Sequence, residues 1–440
     1  MPQGRSRTRL PKERVRSFQE VHLGLSAREA VTDARIFLER EGVLKGDPCP
    51  LGTDHVAVLR LVAKGDFASA FDKLLETNPL PEITGRLAPD PYGALQVYNQ
   101  NGDRISLRRI ERFLADRARS AIPGLSKTTG RPKVAVVGGG VAGLSLSHFL
   151  SRRGQAVTLF ESADRCGGSL VSSCGLFRVP QRTVDGIIAR TVSRGIEIVT
   201  STIIGRSLGL RELLDRGFSS CILSVGDGAF APLGIPGEGL AGVFDADQIM
   251  RVSREVASGA RDLLLPLGPR VLVVGHGEAA LDAARTALRF GREVTVLVGG
   301  REGLMDPVAA DLREAVEEGV RIKTMARPVR IEDNGVGCVK GLVCQMLRPS
   351  RQGEGLEDEP QGEFLIEAET IVNAGEASAD TLFLRDTGGL DLGEGGVVRV
   401  VSPEGETTLE HVWACGGCVT PGMTLLETLA AAARTAQAVV

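Results

Sequence analysis

The sequence lacks four things, and each absence removes a class of function. It has no surplus of positive charge: 52 Lys and Arg face 55 Asp and Glu, a formal net charge of −3, whereas a nucleic-acid binder needs a concentrated basic surface for phosphates. It has no apolar run near the roughly 18 residues of a membrane helix, because charges or glycines interrupt every hydrophobic stretch. Its five histidines show no ligand spacing, so no metal site is expected. It has no disulfide framework either: the eight cysteines (49, 166, 174, 221, 338, 344, 415 and 418) are scattered through 440 residues, which suits reduced thiols and a reducing, cytoplasmic compartment.

What the chain has in excess is glycine, 55 residues, which predicts many close backbone turns. Its length favours two or three domains. The first sixteen residues carry Arg5, Arg7, Arg9, Lys12, Arg14 and Arg16 against Glu13 alone, with no apolar region behind them. They are expected to form a disordered or docking arm rather than a secretory signal. Residues 17–121 have apolar residues at helical spacing over Ala27–Glu41, His55–Lys64, Phe67–Thr77 and Ser106–Ser120, which predicts a separate helical domain. The Pro-, Gly-, Ser- and Thr-rich stretch from Pro123 to Pro132 is a candidate linker.

From Lys133 the order becomes apolar strand, glycine turn, helix, strand (VAVVGGG, VAGLSLSHFLSRRG, AVTLFE), and it recurs from Arg270 (VLVVGHG, EAALDAARTALRFG, EVTVLV). Two such units predict two parallel-sheet dinucleotide domains. In the first, Gly138, Gly140 and Gly143 form GxGxxG, and Glu161 closes the next strand 18 residues after Gly143. The glycines permit a tight turn, backbone approach to a pyrophosphate and close helix packing, while the acid is placed for an adenosine ribose. The candidate contacts are Gly138, Gly139, Gly140, Val141, Ala142, Gly143 and Glu161, joined by Gly226 and by Gly168 of a second glycine turn. The second motif, Gly275, Gly277, Glu278, Ala279 and Ala280, is a GxGxxA variant with two weaknesses. Its strand ends Leu297, Val298, Gly299, Gly300, offering neither a ribose-binding acid nor an arginine, although Arg301 and Glu302 follow. Glu278 also puts negative charge where phosphate would sit, unless it is simply a stabilising first-turn acid.

Five further stretches, SFQEVHLG at Ser17, ETNPLPEITGR at Glu76, IERFLADRA at Ile110, LGIPGE at Leu233 and LDAARTALRFG at Leu281, give the chain a specific resemblance from about Arg16 to its end. It resembles the small subunit of glutamate synthase and related FAD-dependent NAD(P)H oxidoreductases, including electron-bifurcating transhydrogenase and dihydropyrimidine dehydrogenase modules. The resemblance implies an N-terminal domain with two iron–sulfur clusters, NAD(P)H in the second unit, and an aspartate on the flavin ribityl chain before a helix aimed at the isoalloxazine. This chain departs at each point. Only Cys49 lies in the N-terminal region, and a cluster takes about four thiolates, so no iron–sulfur cluster is expected. Gly299 and Gly300 stand where an arginine pair would grip the NADP phosphate, which favours NAD(H) over NADP(H). Gly417, after Gly416, takes the aspartate position, and Met423 and Thr424 begin the helix near the flavin. Leu170, Phe177, Arg178 and Pro180 match the flavin-side segment, but Ser172 to Gly175 replace its usual Tyr-Gly-Ile-Pro. Cys415 and Cys418 form a CxxC, open to a redox or a packing role.

The expected architecture is α/β, with two Rossmann-like dinucleotide-binding domains, one inserted in the other, after an all-α N-terminal domain. The boundaries are 1–128 for the helical docking domain, 129–243 with 383–440 for the FAD domain, and 244–382 for the NAD(P)-type domain. The expected function is electron transfer between NAD(H) and a partner redox subunit through FAD, with no catalytic side chain required because the cofactors carry the reaction. Two alternatives stay open: a relay or scaffold subunit with a vestigial nicotinamide site, and a component of a dye-linked amino-acid dehydrogenase in which Arg178 grips the substrate carboxylate.

Overall fold

A computed structural model describes residues 8–39, 49–90, 97–98, 105–117, 132–259, 266–299, 308–350, 355–378, 381, 384 and 387–439. The candidate linker up to 131, and Gly300, Arg301 and Glu302, lie outside the described residues.

The N-terminal part is helical: α1 (Pro11–Arg14), α2 (Ala27–Leu38), α3 (His55–Lys64), α4 (Phe67–Leu74), α5 (Pro81–Leu87) and α6 (Leu107–Arg117). Local chemistry sets their ends. Ser26 and Glu29 form a capping box on α2, Asp54 and Asp66 cap α3 and α4, and Gly65 ends α3 in the left-handed region. The apolar stripes meet in one core that includes Ala34, Phe37, Leu59, Val62, Phe71, Leu74, Ile110 and Leu114. The sequence pattern located α2, α3, α4 and α6 but not α5, whose seven residues are too few to show a period.

This region does not stand apart. Leu80 and Ile83 lie in the same core as Val134 and Val136 of the first sheet. The Glu82 carboxylate pairs with Arg190, and the His148 ring bonds the Leu75 carbonyl at 2.9 Å. Burial holds His148 well below its ordinary pKa, so it stays neutral. The basic arm, described from Thr8, docks within its own chain: buried Arg14 pairs with Glu317 at 3.2 Å, and Arg289 donates to the Ser17 carbonyl at 3.1 Å.

The first parallel sheet has the order β15-β4-β1-β2-β3, from β1 (Lys133–Val137), β2 (Ala156–Phe160), β3 (Glu197–Val199), β4 (Phe218–Leu223) and β15 (Val412–Ala414). The second has the order β6-β13-β7-β8-β9, from β6 (Val243–Asp245), β7 (Arg270–Gly275), β8 (Glu293–Leu297), β9 (Arg321–Lys323) and β13 (Thr370–Ala374). Continuous apolar runs such as VAVV and VLVV suit central strands covered on both faces. Helices α7 (Val141–Arg152), α8 (Ser169–Ser172), α9 (Gln181–Ser193) and α10 (Leu210–Asp215) belong with the first sheet's strands in the chain. Helices α11 (Ala246–Ala257), α12 (Glu278–Arg289) and α13 (Ala309–Glu318) belong with the second, and α14 (Leu425–Ala438) follows β15. The chain leaves through β5 (Ala229–Phe230) and returns through β14 (Ala377–Ser378), which pair antiparallel. The sequence pattern did not show the antiparallel sheet of β10 (Ala326–Asp333), β11 (Val339–Pro349) and β12 (Leu356–Glu367). Among the described residues, no helix is long and apolar enough to cross a membrane.

Candidate dinucleotide sites

The first site lies at the carboxyl ends of β1, β4 and β15. The order β15-β4-β1-β2-β3 reverses its direction of growth between β1 and β4, and a ligand crevice opens at such a switch point. Gly138 turns there with φ +105°, and a Cβ on it would overlap the Ser224 carbonyl. Gly140 caps α7, so the amides of Val141, Ala142 and Gly143 open the helix without intrahelical partners. A Cβ on Gly143 would overlap the Gly138 carbonyl oxygen, so only glycine lets α7 pack this close to the turn. Ser224 Oγ braces the turn by donating to the carbonyls of Val137 (2.9 Å) and Gly138 (3.1 Å).

Glu161 is buried beside the same turn. Its Oε2 accepts from the Gly139 amide at 2.7 Å, and its Oε1 accepts from the Ala163 amide at 2.8 Å and Ser162 Oγ at 3.0 Å. Acceptor capacity remains on Oε2 for a ribose hydroxyl. The Gly167 amide donates to the Gly139 carbonyl at 2.9 Å, and a Cβ on Gly168 would stand 2.8 Å from Gly140 Cα, so two backbone turns meet face to face. The surface is a cradle of backbone amides at a helix N-terminus with an acid to one side, the donor set a dinucleotide pyrophosphate needs.

Gly416 and Gly417 follow β15 and close the other side: a Cβ on Gly416 would stand 3.1 Å from Ala142 Cβ, and one on Gly417 would press on Asp227, next to Gly226. Thr424 caps α14, but its amide donates to Glu427 Oε2 at 2.8 Å. The amide expected to face the flavin therefore already has a carboxylate partner within a capping box.

The second turn is built differently. A Cβ on Gly275 would overlap the Ala374 carbonyl, yet one on Gly277 would meet no atom within 4 Å. Ala280 is buried at the third position, so the helix stands far enough from the strand for a methyl group. Glu278, the first residue of α12 ahead of Ala279, pairs with Arg178 Nη1 at 2.9 Å. Arg178 also faces Asp282 (3.4 Å) and Asp311 (3.4 Å). Burial, with the neighbouring Asp282 carboxylate, raises both Glu278 and Asp311 above the ordinary carboxylate value against the pull of Arg178. Asp282 Oδ2 accepts from the Gly175 amide at 2.9 Å, while its Oδ1 is buried without a partner. Leu297, Val298 and Gly299 bring no acid to the end of β8.

The segment between α8 and α9 is locked onto this second unit. Arg254 on α11 donates to the carbonyls of Leu170 (2.6 Å), Val171 (2.9 Å) and Cys174 (2.8 Å). The Phe177 ring lies 4.5 Å from the Arg285 guanidinium and 4.0 Å from that of Arg289. Arg178, expected as a free grip for a substrate carboxylate, is instead held by three carboxylates of its own chain. Sequence reasoning missed Ser224, Asp227, Arg254, Asp282 and Asp311, whose roles come from strand and helix pairing across more than 80 residues in most cases. Only the GDG after β4 hinted at a turn there.

Residues 132–436 match the profile of the pyridine nucleotide-disulphide oxidoreductases, about two thirds of the sequence. The chain belongs to that family. Residues 14–122 match a second profile, dihydropyrimidine dehydrogenase domain II, 4Fe-4S cluster, although Cys49 is the one cysteine in that stretch. The putative oxidoreductase AegA of Escherichia coli K12 is 30% identical over 383 residues, 82% of this chain but 57% of AegA, so the chain spans little more than half of that relative. The small chain of glutamate synthase [NADPH] from the same organism is 28% identical over 88% of this chain and 86% of its own length. Among solved structures, Mycobacterium tuberculosis FprA in complex with NADPH superposes with a TM-score of 0.53 at 17% identity, over 70% of this chain and 84% of FprA, a likeness of fold.

The family's name raises the question of a redox disulfide, and the two thiols of the CxxC answer poorly to it. Cys415 and Cys418 are buried, and Cys418 Sγ donates to the Cys415 carbonyl at 3.4 Å. Burial pushes Cys418 up to about 11, and Cys415 upward with the further repulsion of Cys418. Thiols so raised supply little thiolate at neutral pH, and the thiolate is the reacting form.

Proposed function

We propose that this chain is an FAD-binding oxidoreductase subunit that passes electrons between a nicotinamide nucleotide and a partner redox protein. The observation that carries the reading is the first glycine turn, where Gly138, Gly140, Gly143 and Gly168 clear side chains from a helix N-terminus that Glu161 flanks. The amides of Val141, Ala142 and Gly143 would hold the pyrophosphate, Glu161 the adenosine ribose, and Ser224 keeps the turn in shape. Bound FAD would supply the hydride and single-electron chemistry, while the protein binds, orients and excludes water.

On this reading residues 129–243 and 383–440 make the FAD domain, 244–382 the nicotinamide-type domain, and 1–128 the docking domain. One cysteine among residues 14–122 cannot hold a four-iron cluster, which takes about four ligands, so the helical domain would dock without a cluster of its own. The interior of this domain holds an ionic group, Arg108 against Glu111 at 2.7 Å and Glu111 against His55 at 3.2 Å. Buried free thiols agree with a reducing compartment.

A second reading, a relay or scaffold subunit with a vestigial nicotinamide site, is favoured by Glu278 at the N-terminus of α12 and by Val298 and Gly299, which put no acid directly after β8. The amino-acid dehydrogenase reading loses support because Arg178 is engaged. An anaerobic absorbance spectrum of the purified chain, before and after NADH and then NADPH, decides between the first two. Bleaching of an oxidised-flavin band at about 450 nm establishes nicotinamide-to-flavin transfer. A yellow spectrum that persists supports the relay, and a colourless chain that takes up no FAD overturns both.

A further inference from the structure

This inference rests on the FAD reading. The first glycine turn has a carboxylate on either side in the strand order. Glu161 stands beyond β2, and Asp227 stands beyond β4, with the amide-lined turn at the end of β1 between them. Asp227 Oδ2 accepts from the Gly422 amide at 3.2 Å, which fixes the side chain between the loop after β4 and the loop before α14. The glycines on either side, Gly226 and Gly228, take φ of +78° and +76° and turn this residue out of the strand direction. A Cβ on Gly417 would lie 2.7 Å from the Asp227 amide nitrogen and 3.0 Å from both its Cβ and Cγ. A side chain at 417 and Asp227 in this position therefore exclude each other.

A flavin dinucleotide carries hydroxyls on both sides of its pyrophosphate, those of the adenosine ribose and those of the ribityl chain. With the pyrophosphate on the α7 amides and the ribose on Glu161, the other polyol runs toward β4 and β15. We propose that Asp227 is the residue that accepts the ribityl hydroxyls, from the loop after β4 rather than from position 417 after β15. A carboxylate suits this task because its two oxygens offer about four acceptor sites, of which Gly422 uses one, and bonds to a charged acceptor are the stronger kind.

The test uses full-length chain stripped of flavin, titrated calorimetrically with FAD and separately with ADP, which lacks the ribityl side. Asp227→Ala is expected to weaken FAD roughly 10- to 100-fold while ADP affinity stays within about twofold. Asp227→Asn should fall between, and Glu161→Gln should weaken both ligands. Unchanged FAD affinity in both Asp227 variants overturns the proposal and leaves the FAD reading intact. An equal loss of FAD and ADP also overturns it, since Asp227 would then only shape the loop. A native chain that binds no FAD overturns the FAD reading and this proposal together.

Discussion

The two glycine turns share a sequence pattern and a place after a central strand, but they differ in what surrounds them. At the first, a methyl on Gly143 collides with the Gly138 carbonyl, and the nearby acid is tied to backbone amides beyond the helix. At the second, Ala280 fits, a Cβ on Gly277 would meet open space, and the acid sits on the helix's own first turn, facing an arginine from the other unit. The comparison teaches that the glycine spacing specifies a strand-turn-helix geometry, whereas the charge above the turn specifies whether an anion is welcome. The first turn has a helix N-terminus with its acid to one side. The second has Glu278, Asp282 and Asp311 converging on one arginine.

Four experiments would break or sharpen that contrast. The largest effect is expected for Arg178→Met, which leaves three carboxylates without their cation. It should destabilise the chain by about 3–5 kcal/mol in urea unfolding, the usual cost of stranding a buried charge, and nearly all of it through Asp282, because Glu278 is half exposed and solvent screens it. A loss below about 1 kcal/mol would show that water screens the cluster and that the second turn is no more closed than the first. Next, Gly143→Ala should destabilise by roughly 1–3 kcal/mol or more through overpacking, and FAD content should drop with it. Its mirror at the second turn, Ala280→Gly, should cost only about 1 kcal/mol. Equal losses in the pair would dissolve the distinction.

Smaller still is Glu278→Gln. If this carboxylate repels phosphate, the neutral amide should strengthen NADH binding by a few-fold, about 0.5–1 kcal/mol, the size of a charge effect at a helix terminus. Unchanged affinity would show that Glu278 does not disfavour the phosphate. The same contrast has a pH signature. Glu278 and Asp311 have folded-state values raised above the ordinary one by burial. Their ionisation therefore costs stability that is absent below the unfolded-state values, 4.5 for Glu278 and 3.8 for Asp311, and grows as pH rises toward the raised folded values. Native chain should thus lose a little stability relative to Glu278→Gln as pH rises above about 4.5, read as a gap in urea midpoints that narrows at lower pH.

An opposite pH response marks Glu314, where α13 meets His22 of the N-terminal region. Burial raises Glu314, but the hydrogen bond from His22 and the charges of Arg285 and Arg14 overcome it and hold the carboxyl at about 2. Its stabilisation is complete above the unfolded value and is lost as pH falls from about 4.5 toward 2. Glu314→Gln should flatten that acid limb slightly, and an unaltered limb would show that the contact of Glu314 with His22, 3.1 Å, adds nothing to stability.

Much of this protein was legible in the one-dimensional pattern, for identifiable reasons. Periodicity of 3.6 located α2, α3, α4 and α6 because each buries one stripe. The two glycine turns were visible because their geometry tolerates so few residue types, and Glu161 because a strand end places it. The single cysteine of the N-terminal region was a matter of counting. Partnerships between distant segments were not visible. Helix α5 is too short for a period, and no local signal says that Leu80 and Ile83 share a core with β1. Arg178 looked like a free guanidinium until Asp282, 104 residues on, was seen to face it. Gly417 looked like a lost contact until Asp227 was found against it. The sequence by itself determined the elements and the chemistry of each turn, because backbone sterics and burial period are properties of neighbours in the chain. Only the tertiary structure decided which charges meet, since electrostatic partnership depends on distance in space, and the packing of two sheets and their helices sets that distance.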